Sequence, residues 1–369
     1  MKISEIINII ELLAPPSLQE NYDNAGLLAG ETHLECFGVV CSLDLTEEVI
    51  DETIVAGANL IVTHHPVIFK PLKSLTPATG VARCLVKAIK NDICVYAVHT
   101  NYDNVLKGVN LALASKIGLA TSSLKILSPV AGKLVKLFTY VPVSHAETLK
   151  QGLFDAGAGH IGQYLECSFS TTGTGTFRPM EGTNPYIGTS GGNREQVQEQ
   201  KIEVIFPLWL KNKVLAALRH HHPYEEIAYE LVMTENELQD AGSGMIGELT
   251  APLAEKDFLN HIKNALGIRM IRHSALLGRE IKRVAVCGGA GAFLIKKAMD
   301  KQADAYLTAD LKYHEFFDPE GQMLLLDIGH YESEIPAVAQ LTNYLQQKFP
   351  TFAVLQSKTD TNPVRYFMD

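Results

Sequence analysis

Three short motifs hold the side chains best suited to ligating metal ions: VTHHP with His64 and His65, AVHTNYDN with His99 and Asp103, and LLLDIGHYESEIP with His330 and Glu334. Neighbouring residues on an extended strand face opposite ways, and Pro66 disfavours helix for the residues before it. Two adjacent histidines therefore serve one ion badly and two ions side by side well, unless the chain turns there. A carboxylate such as Asp103 can bridge two divalent ions while imidazoles complete each shell. Gly329 permits a turn after its strand, and if a helix begins there His330 and Glu334 share a face. Each motif also has a plain alternative. The histidine pair could be solvated or capping, Asp103 a turn residue, and Glu334 a first-turn acid stabilised by the helix dipole.

All three motifs follow apolar runs that read as parallel strands, and open α/β sheets build their sites at the carboxyl ends of such strands. That shared placement selects the metal reading: two divalent ions held by His64, His65, Asp103, His330 and Glu334. An all-oxygen magnesium site would not need so many imidazoles, so zinc, iron or manganese is expected. His99, and His314 in TADLKYHEF at the end of a further strand, are candidate catalytic acid–base residues, because imidazole titrates near neutral pH. A surface position is the alternative for His314.

Three further segments are chemically dense. CGGAGAF after a strand is either a phosphate cradle at a helix N-terminus or a tight strand-to-helix turn. It lacks the full dinucleotide or Walker pattern, which favours the turn. RHHHPYEE, with His220, His221, His222, Glu225 and Glu226, reads as a polar helix-to-strand corner before a second metal or partner site. NYDNAGLLAGE, with Asp23 and Asn24 ahead of a glycine turn, shapes the backbone and could line the mouth of the crevice.

The elements that would position these residues follow an α/β grammar. Up to about residue 128, apolar runs (FGVVCSLDLT, NLIVTHHP, DICVYAVHTNYD) alternate with helical patterns, as in a parallel sheet covered on both faces. The same alternation returns over 237–369, ending with FAVLQS as a last strand. Between them, 129–236 reads β-α-β-β-α-β, the ferredoxin-like split unit, as an inserted α+β domain. NELQDAGSGMIGEL is expected as the return linker.

The 369-residue chain is too long for one typical domain and comfortable for two. A formal net charge of −9 without a long basic run argues against direct nucleic-acid binding. No run approaches the length of a membrane span. The N-terminal MKISEIINIIELL is interrupted by Glu5 and Glu11, so it reads as an amphipathic helix with Ile6, Ile7, Ile10 and Leu13 on one stripe, not as a signal peptide. The six scattered cysteines lack any CxxC pair and read as reduced core residues, which points to the cytoplasm.

VTHHP, HTNYDN, the CGGAG turn, DAYLTADLKYHE and DIGHYESE, in that order, together with NYDNAGLLAGE, resemble the NIF-three-like family (NGG-one-interacting factor three), whose members are called GTP cyclohydrolase I type two homologs. The resemblance covers about 1–125 and 245–369, and the insert is similar to the PII- and CutA-like domain of the longer bacterial members. It implies a dinuclear metal centre on His64, His65, Asp103, His330 and Glu334, with His99 at or beside the metals. It further implies two similar α/β halves and a ring-shaped homohexamer. The activity it implies is that of a metal-dependent hydrolase acting on a small-molecule substrate, a nucleotide or a related phosphorylated compound. The alternative is a non-enzymatic metal- or metabolite-responsive assembly with the insert as sensor.

Overall fold

The apolar runs VVCS, LIVT and CVYA become the strands Val39–Ser42, Leu60–Thr63 and Cys94–Ala97, buried at every position and paired in parallel. Runs without alternation suit a sheet covered on both faces. The crossover helices Glu47–Val55 and Gly80–Lys90 start at Thr46 and Thr79, each of whose hydroxyls accepts the backbone N–H three residues on. The computed structural model describes residues 1–367. It divides into two compact units, one made of Met1–Ser128 and Ala241–Asp369, the other of Pro129–Asp240.

The first unit holds two sheets with a shared plan. One is five-stranded, in the order Gly26–Ala29, Cys94–Ala97, Leu60–Thr63, Val39–Ser42, Val354–Gln356. The other is six-stranded, in the order Arg272–His273, Leu324–Asp327, Ala305–Ala309, Glu280–Ala290, Glu237–Ala254, Lys125–Ala131. In each, three consecutive strands run parallel, and a short preceding strand lies antiparallel beside the third. The two halves therefore deliver side chains from equivalent strand ends. The long helix His330–Lys348 packs on strands of both sheets, so its first turn sits where the two sets of strand ends meet.

The segment expected as a return linker is instead the strand Glu237–Ala254, paired antiparallel with Glu280–Ala290. Its glycines and polar residues hide it in the sequence. Gly247 is close-packed under Leu124, and Met245 and Ile246 are buried. The N-terminal helix, Ile3–Leu13, buries Ile3, Ile6, Ile7 and Ile10, whereas Leu13 is only partly covered. No helix among the described residues is long and apolar enough to cross a membrane.

The second unit runs strand Leu134–Pro142, helix Ala146–Asp155, strands Ser168–Phe177 and Glu195–Pro207, helix Lys211–His221 and strand Tyr229–Thr234. Its strands are all antiparallel to their neighbours, with Leu134–Pro142 and Glu195–Pro207 central. Val135, Leu137, Val141, Ile202, Val204 and Phe206 form one core with Leu149, Leu153, Val214 and Leu218 of the two helices. The helices thus cover one face of the sheet, and side chains at the alternate positions project from the other.

Candidate metal centre

His64 and His65 leave the end of strand Leu60–Thr63, His99 and Asp103 follow strand Cys94–Ala97, and His330 and Glu334 follow strand Leu324–Asp327. Gly329, at φ +91°, makes the turn into the long helix, a backbone conformation that glycine adopts without strain. The helix then sets His330 and Glu334 one turn apart on one face. His99 and Asp103 stand in the same relation around the short helix Thr100–Asp103.

Each histidine is oriented through Nδ1. That atom lies 2.9 Å from the Val98 carbonyl in His64, and 2.7 Å from a carboxylate oxygen in His65 (Asp44), His99 (Asp23) and His330 (Asp310). An oxygen acceptor there holds the proton on Nδ1 and leaves Nε2 as a lone-pair donor, the usual arrangement around metal-ligating imidazole. The Nε2 atoms converge. His65 Nε2 stands 2.9 Å and His330 Nε2 3.1 Å from Glu334 Oε2, and these two nitrogens are 3.3 Å apart. His64 Nε2 lies 3.6 Å from Asp103 Oδ1 and 3.8 Å from Glu334 Oε1.

Three overlapping triads could each hold an ion: His64, His65 and His99; His65, His330 and Glu334; and His64, Asp103 and Glu334. His64 Nε2 and Asp103 Oδ1 are buried without a hydrogen-bond partner, and the neighbours of buried Glu334 Oε2 are the His65 and His330 imidazoles. Buried polar atoms are almost always paired, and two such orphans 3.6 Å apart beside a buried carboxylate fit a metal centre. Glu334 and His64 are each only 3 % exposed, so this is not a solvated cluster.

Charge in the metal-free cluster is unevenly shared. Burial lowers the His64 pKa against the pull of Glu334. Burial opposes charge on His65 too, but Asp44 and Glu334 outweigh it and push its pKa up to about 10. Glu334 and Asp310 likewise overcome burial at His330 and raise it to about 9. Burial and the neighbouring Glu334 carboxylate hold Asp103 well above its ordinary value. Glu334, despite complete burial, stays ionised because His64, His330 and His65 surround it.

The glycine turn serves this centre sterically and does not cradle phosphate. The N–H groups of Gly288, Gly289 and Gly291 already donate to Asn110 Oδ1, Ser333 Oγ and Thr308 Oγ1. The helix that follows, Ile295–Asp300, has only six residues. A Cβ on Gly289, which has φ +62°, would lie 2.4 Å from Glu334 Oε1. Gly289→Ala should therefore destabilise the protein by about 1–3 kcal/mol through backbone strain alone and also displace Glu334. Chemical denaturation and metal titration of that variant check both effects.

His314 is not brought to the centre. It is exposed on the short turn Tyr313–Phe317, with its ring against Tyr313 and Phe317. Asp310, at φ +57°, reverses the chain just before that turn and presents its own carboxylate to His330. His220–His222 form a helix-to-strand corner. His222 is buried, with Nε2 on the Tyr140 carbonyl and Nδ1 accepting from the Tyr224 N–H.

Sequence reasoning missed the carboxylates behind the histidines. Asp44 and Asp310 each stand just past an apolar strand, and Asp23 sits in the segment read as backbone-shaping. Asp23 also accepts from the Thr100 N–H and hydroxyl; these bonds and His99 outweigh burial and hold its pKa down to about 2. Asp44→Ala should weaken metal binding by about 10- to 100-fold, the usual loss when an imidazole's outer partner is removed. A chelator-competition titration measures it.

Beside the ligand cluster lies a crevice of about 650 Å³, whose lining includes Tyr22, Phe69, His99, Asp103, Cys287 and Phe293. Phe69, Phe293 and Tyr22 are largely exposed, and Phe69 meets His99 edge-on at 5.7 Å. None of the described residues lining it is Lys or Arg.

The chain belongs to the Duf34/NIF3 (NGG1p interacting factor 3) family, which it matches over residues 1–363. It is 39 % identical to a Halalkalibacterium halodurans protein named GTP cyclohydrolase 1 type 2 homolog, over 99 % of this chain and 100 % of that one. A Bacillus subtilis protein of the same name is 36 % identical over 98 % of each chain. Among solved structures, a Bacillus cereus protein related to NIF3 superposes with a TM-score of 0.89 at 38 % identity, over 100 % of this chain and 99 % of that one. A Staphylococcus aureus protein does so with a TM-score of 0.77 at 30 % identity, over 100 % and 99 %.

Proposed function

We propose that the protein holds two divalent metal ions through His64, His65, Asp103, His330 and Glu334, with His99 at or beside them, and hydrolyses a cyclic amidine C–N bond in a nucleotide or related small molecule. The observation that carries the reading is the convergence of imidazole Nε2 and carboxylate oxygen atoms, with His64 Nε2 and Asp103 Oδ1 buried and unpartnered and each imidazole fixed from behind. Six nitrogen and oxygen donors suit zinc, iron or manganese. Such ions, when bound, supply Lewis acidity that eases deprotonation of water and polarises the bond under attack.

The chain's own residues supply the rest. Tyr22, Phe69 and Phe293 offer ring faces at the crevice against which a flat heterocycle can stack. The absence of Lys and Arg from the described lining makes the ring, not a phosphate tail, the part that these side chains recognise. His99, its Nδ1 proton held by Asp23, is placed to hold or pass a proton at Nε2. With GTP, one water adds at C8 of the purine and a proton passes to the departing ring nitrogen as the C–N bond opens to a formamide; a second water then cleaves the remaining C8–N bond, releasing formate and leaving a protonated amine. The relatives' name supports that substrate. Metal-loaded protein incubated with GTP should lose purine absorbance and release formate, whereas the His64→Ala, His65→Ala double variant should not. Equal turnover by both would overturn the proposal.

A further inference from the structure

The unit Pro129–Asp240 has a cavity of its own, about 760 Å³, lined wholly by its own residues. It lies on the sheet face that the helices leave bare. Ile202, Val204 and Phe206 point to the helices, so Glu199 and Lys201 on the same strand project from the other face. Across the ladder, Glu199 pairs with Gly173 and Lys201 with Thr171. The edge strand SFSTTGTGTF places Gly173 and Gly175 at alternate positions, so this face carries no side chain over about 7 Å of strand. Nothing lies within 4 Å of where a Gly173 Cβ would stand, while the Glu199 side chain bends over Gly175, its Oε2 2.0 Å from that Cβ position. Glycine weakens a strand interior and often marks a place where another group approaches closely.

The walls are aromatic and the floor is acidic. Tyr224 donates its hydroxyl to Glu199 Oε1 at 2.8 Å. Its ring lies 5.7 Å from that of Phe177 and 6.3 Å from that of Tyr186. Glu199 is only 9 % exposed, with the Tyr224 hydroxyl donating to Oε1, and further N–H donors from a ligand would offset the cost of burying its charge. Lys201 also lines the cavity, but its ammonium is 2.8 Å from Glu203 and sits over the Phe138 ring. Glu225 and Glu226 line the same space with Arg178, whose Nε donates to the Gly192 carbonyl, so carboxylates outnumber cations in the lining and favour a cationic ligand over an anionic one.

The geometry points to a second ligand site in this unit, one that takes a flat molecule with an amidine-type N–H edge, such as an aryl amidine or an amino-substituted heterocycle. Two parallel N–H donors match a carboxylate, and the ring faces attract the positive edge. This site is independent of whatever the metal centre catalyses.

Titrating the full chain calorimetrically with benzamidine, benzamide and benzoate tests the assignment, because the three probes share a shape and differ in that edge. Benzamidine should bind at least about tenfold more tightly than benzamide, with no heat from benzoate. Glu199→Gln should weaken benzamidine about tenfold or more. Gly173→Val, compatible with a strand and entering open space, should abolish binding while circular dichroism and metal uptake stay those of the parent. Three outcomes would overturn the proposal: no benzamidine binding by the folded parent, equal binding of benzamidine and benzoate, or full binding by Gly173→Val. A change of oligomeric state in Gly173→Val, with no benzamidine heat in the parent, would assign the cavity to a second copy of the chain instead and overturn it too.

Discussion

Replacing Glu334 by glutamine is expected to weaken zinc binding about 100-fold or more and to destabilise the metal-free protein by about 3 kcal/mol. Structural zinc bound by four ligands is worth about 10–16 kcal/mol, so one ligand accounts for about 3 kcal/mol, or a factor of about 100. Glu334 is expected to count for more than an average ligand, because its two oxygens lie among the Nε2 atoms of His64, His65 and His330. The loss without metal has a different origin. With both imidazoles charged, the amide leaves His65 and His330 short of a buried counter-charge, and breaking such a pair costs about 3–5 kcal/mol. Asp44 and Asp310 remain to each of them, which puts the expectation at the lower end. Competition with a chromophoric chelator reads the first effect and urea unfolding in the presence of a chelator the second. An affinity within about threefold of the parent's would remove Glu334 from the ligand set.

The residues that converge at the candidate centre were legible because their signal is local. HH before proline, and two pairs spaced four apart after apolar runs, announce strand ends, and the parallel sheets bring those ends together. The carboxylates behind the imidazoles were not legible. Asp44 and Asp310 have the composition of ordinary turn residues, and their role appears only when a ring 21 or 20 residues away arrives beside them. The glycine turn shows the same limit. Whether its N–H groups face a phosphate or a side chain depends on Asn110, which is 178 residues from Gly288 in sequence. His314 stood the same distance past its strand end as a crevice residue would. The left-handed Asp310 sent the chain outward first, and a positive φ on a non-glycine residue leaves little trace in sequence.

The plan of the fold was read more fully than its edges. Fully apolar runs such as LIVT and LLLD identify themselves as central strands. Glu237–Ala254 looked like a linker because glycines that let it pack closely against Leu124 and Leu127 also dilute its apolar pattern. The equivalence of the two halves gives the site its logic. His99 and Asp103 after the third strand of one sheet answer His330 and Glu334 after the third strand of the other. Asp23 and Asp310 hold the two leading histidines in the same way. The repeat is nearly invisible in residue identity, since HTNYD and HYESE share only the first histidine and an acid at the fifth position.

Metal loading should be strongly pH-dependent, in a direction opposite to the stability of the empty cluster. With pKa values of about 10 and about 9, His65 and His330 are protonated at neutral pH in the metal-free protein. Nε2 can ligate only after its proton leaves. Apparent affinity should therefore rise from pH 6.5 to 8.5 by up to about tenfold per unit for each proton displaced. The folding term has the reverse sign. Both histidine pKa values are raised above 6.5, so their contribution is fully present below about pH 6.5 and is lost as pH climbs through about 9 and about 10. Across that window the metal-free protein should melt at progressively lower temperature, while the rise in Tm on adding zinc should grow. Paired melts with chelator and with excess zinc at pH 6.5, 7.5 and 8.5 measure both slopes. A zinc-induced rise that stays flat would mean that the ions bind without displacing these protons, and so not through His65 and His330.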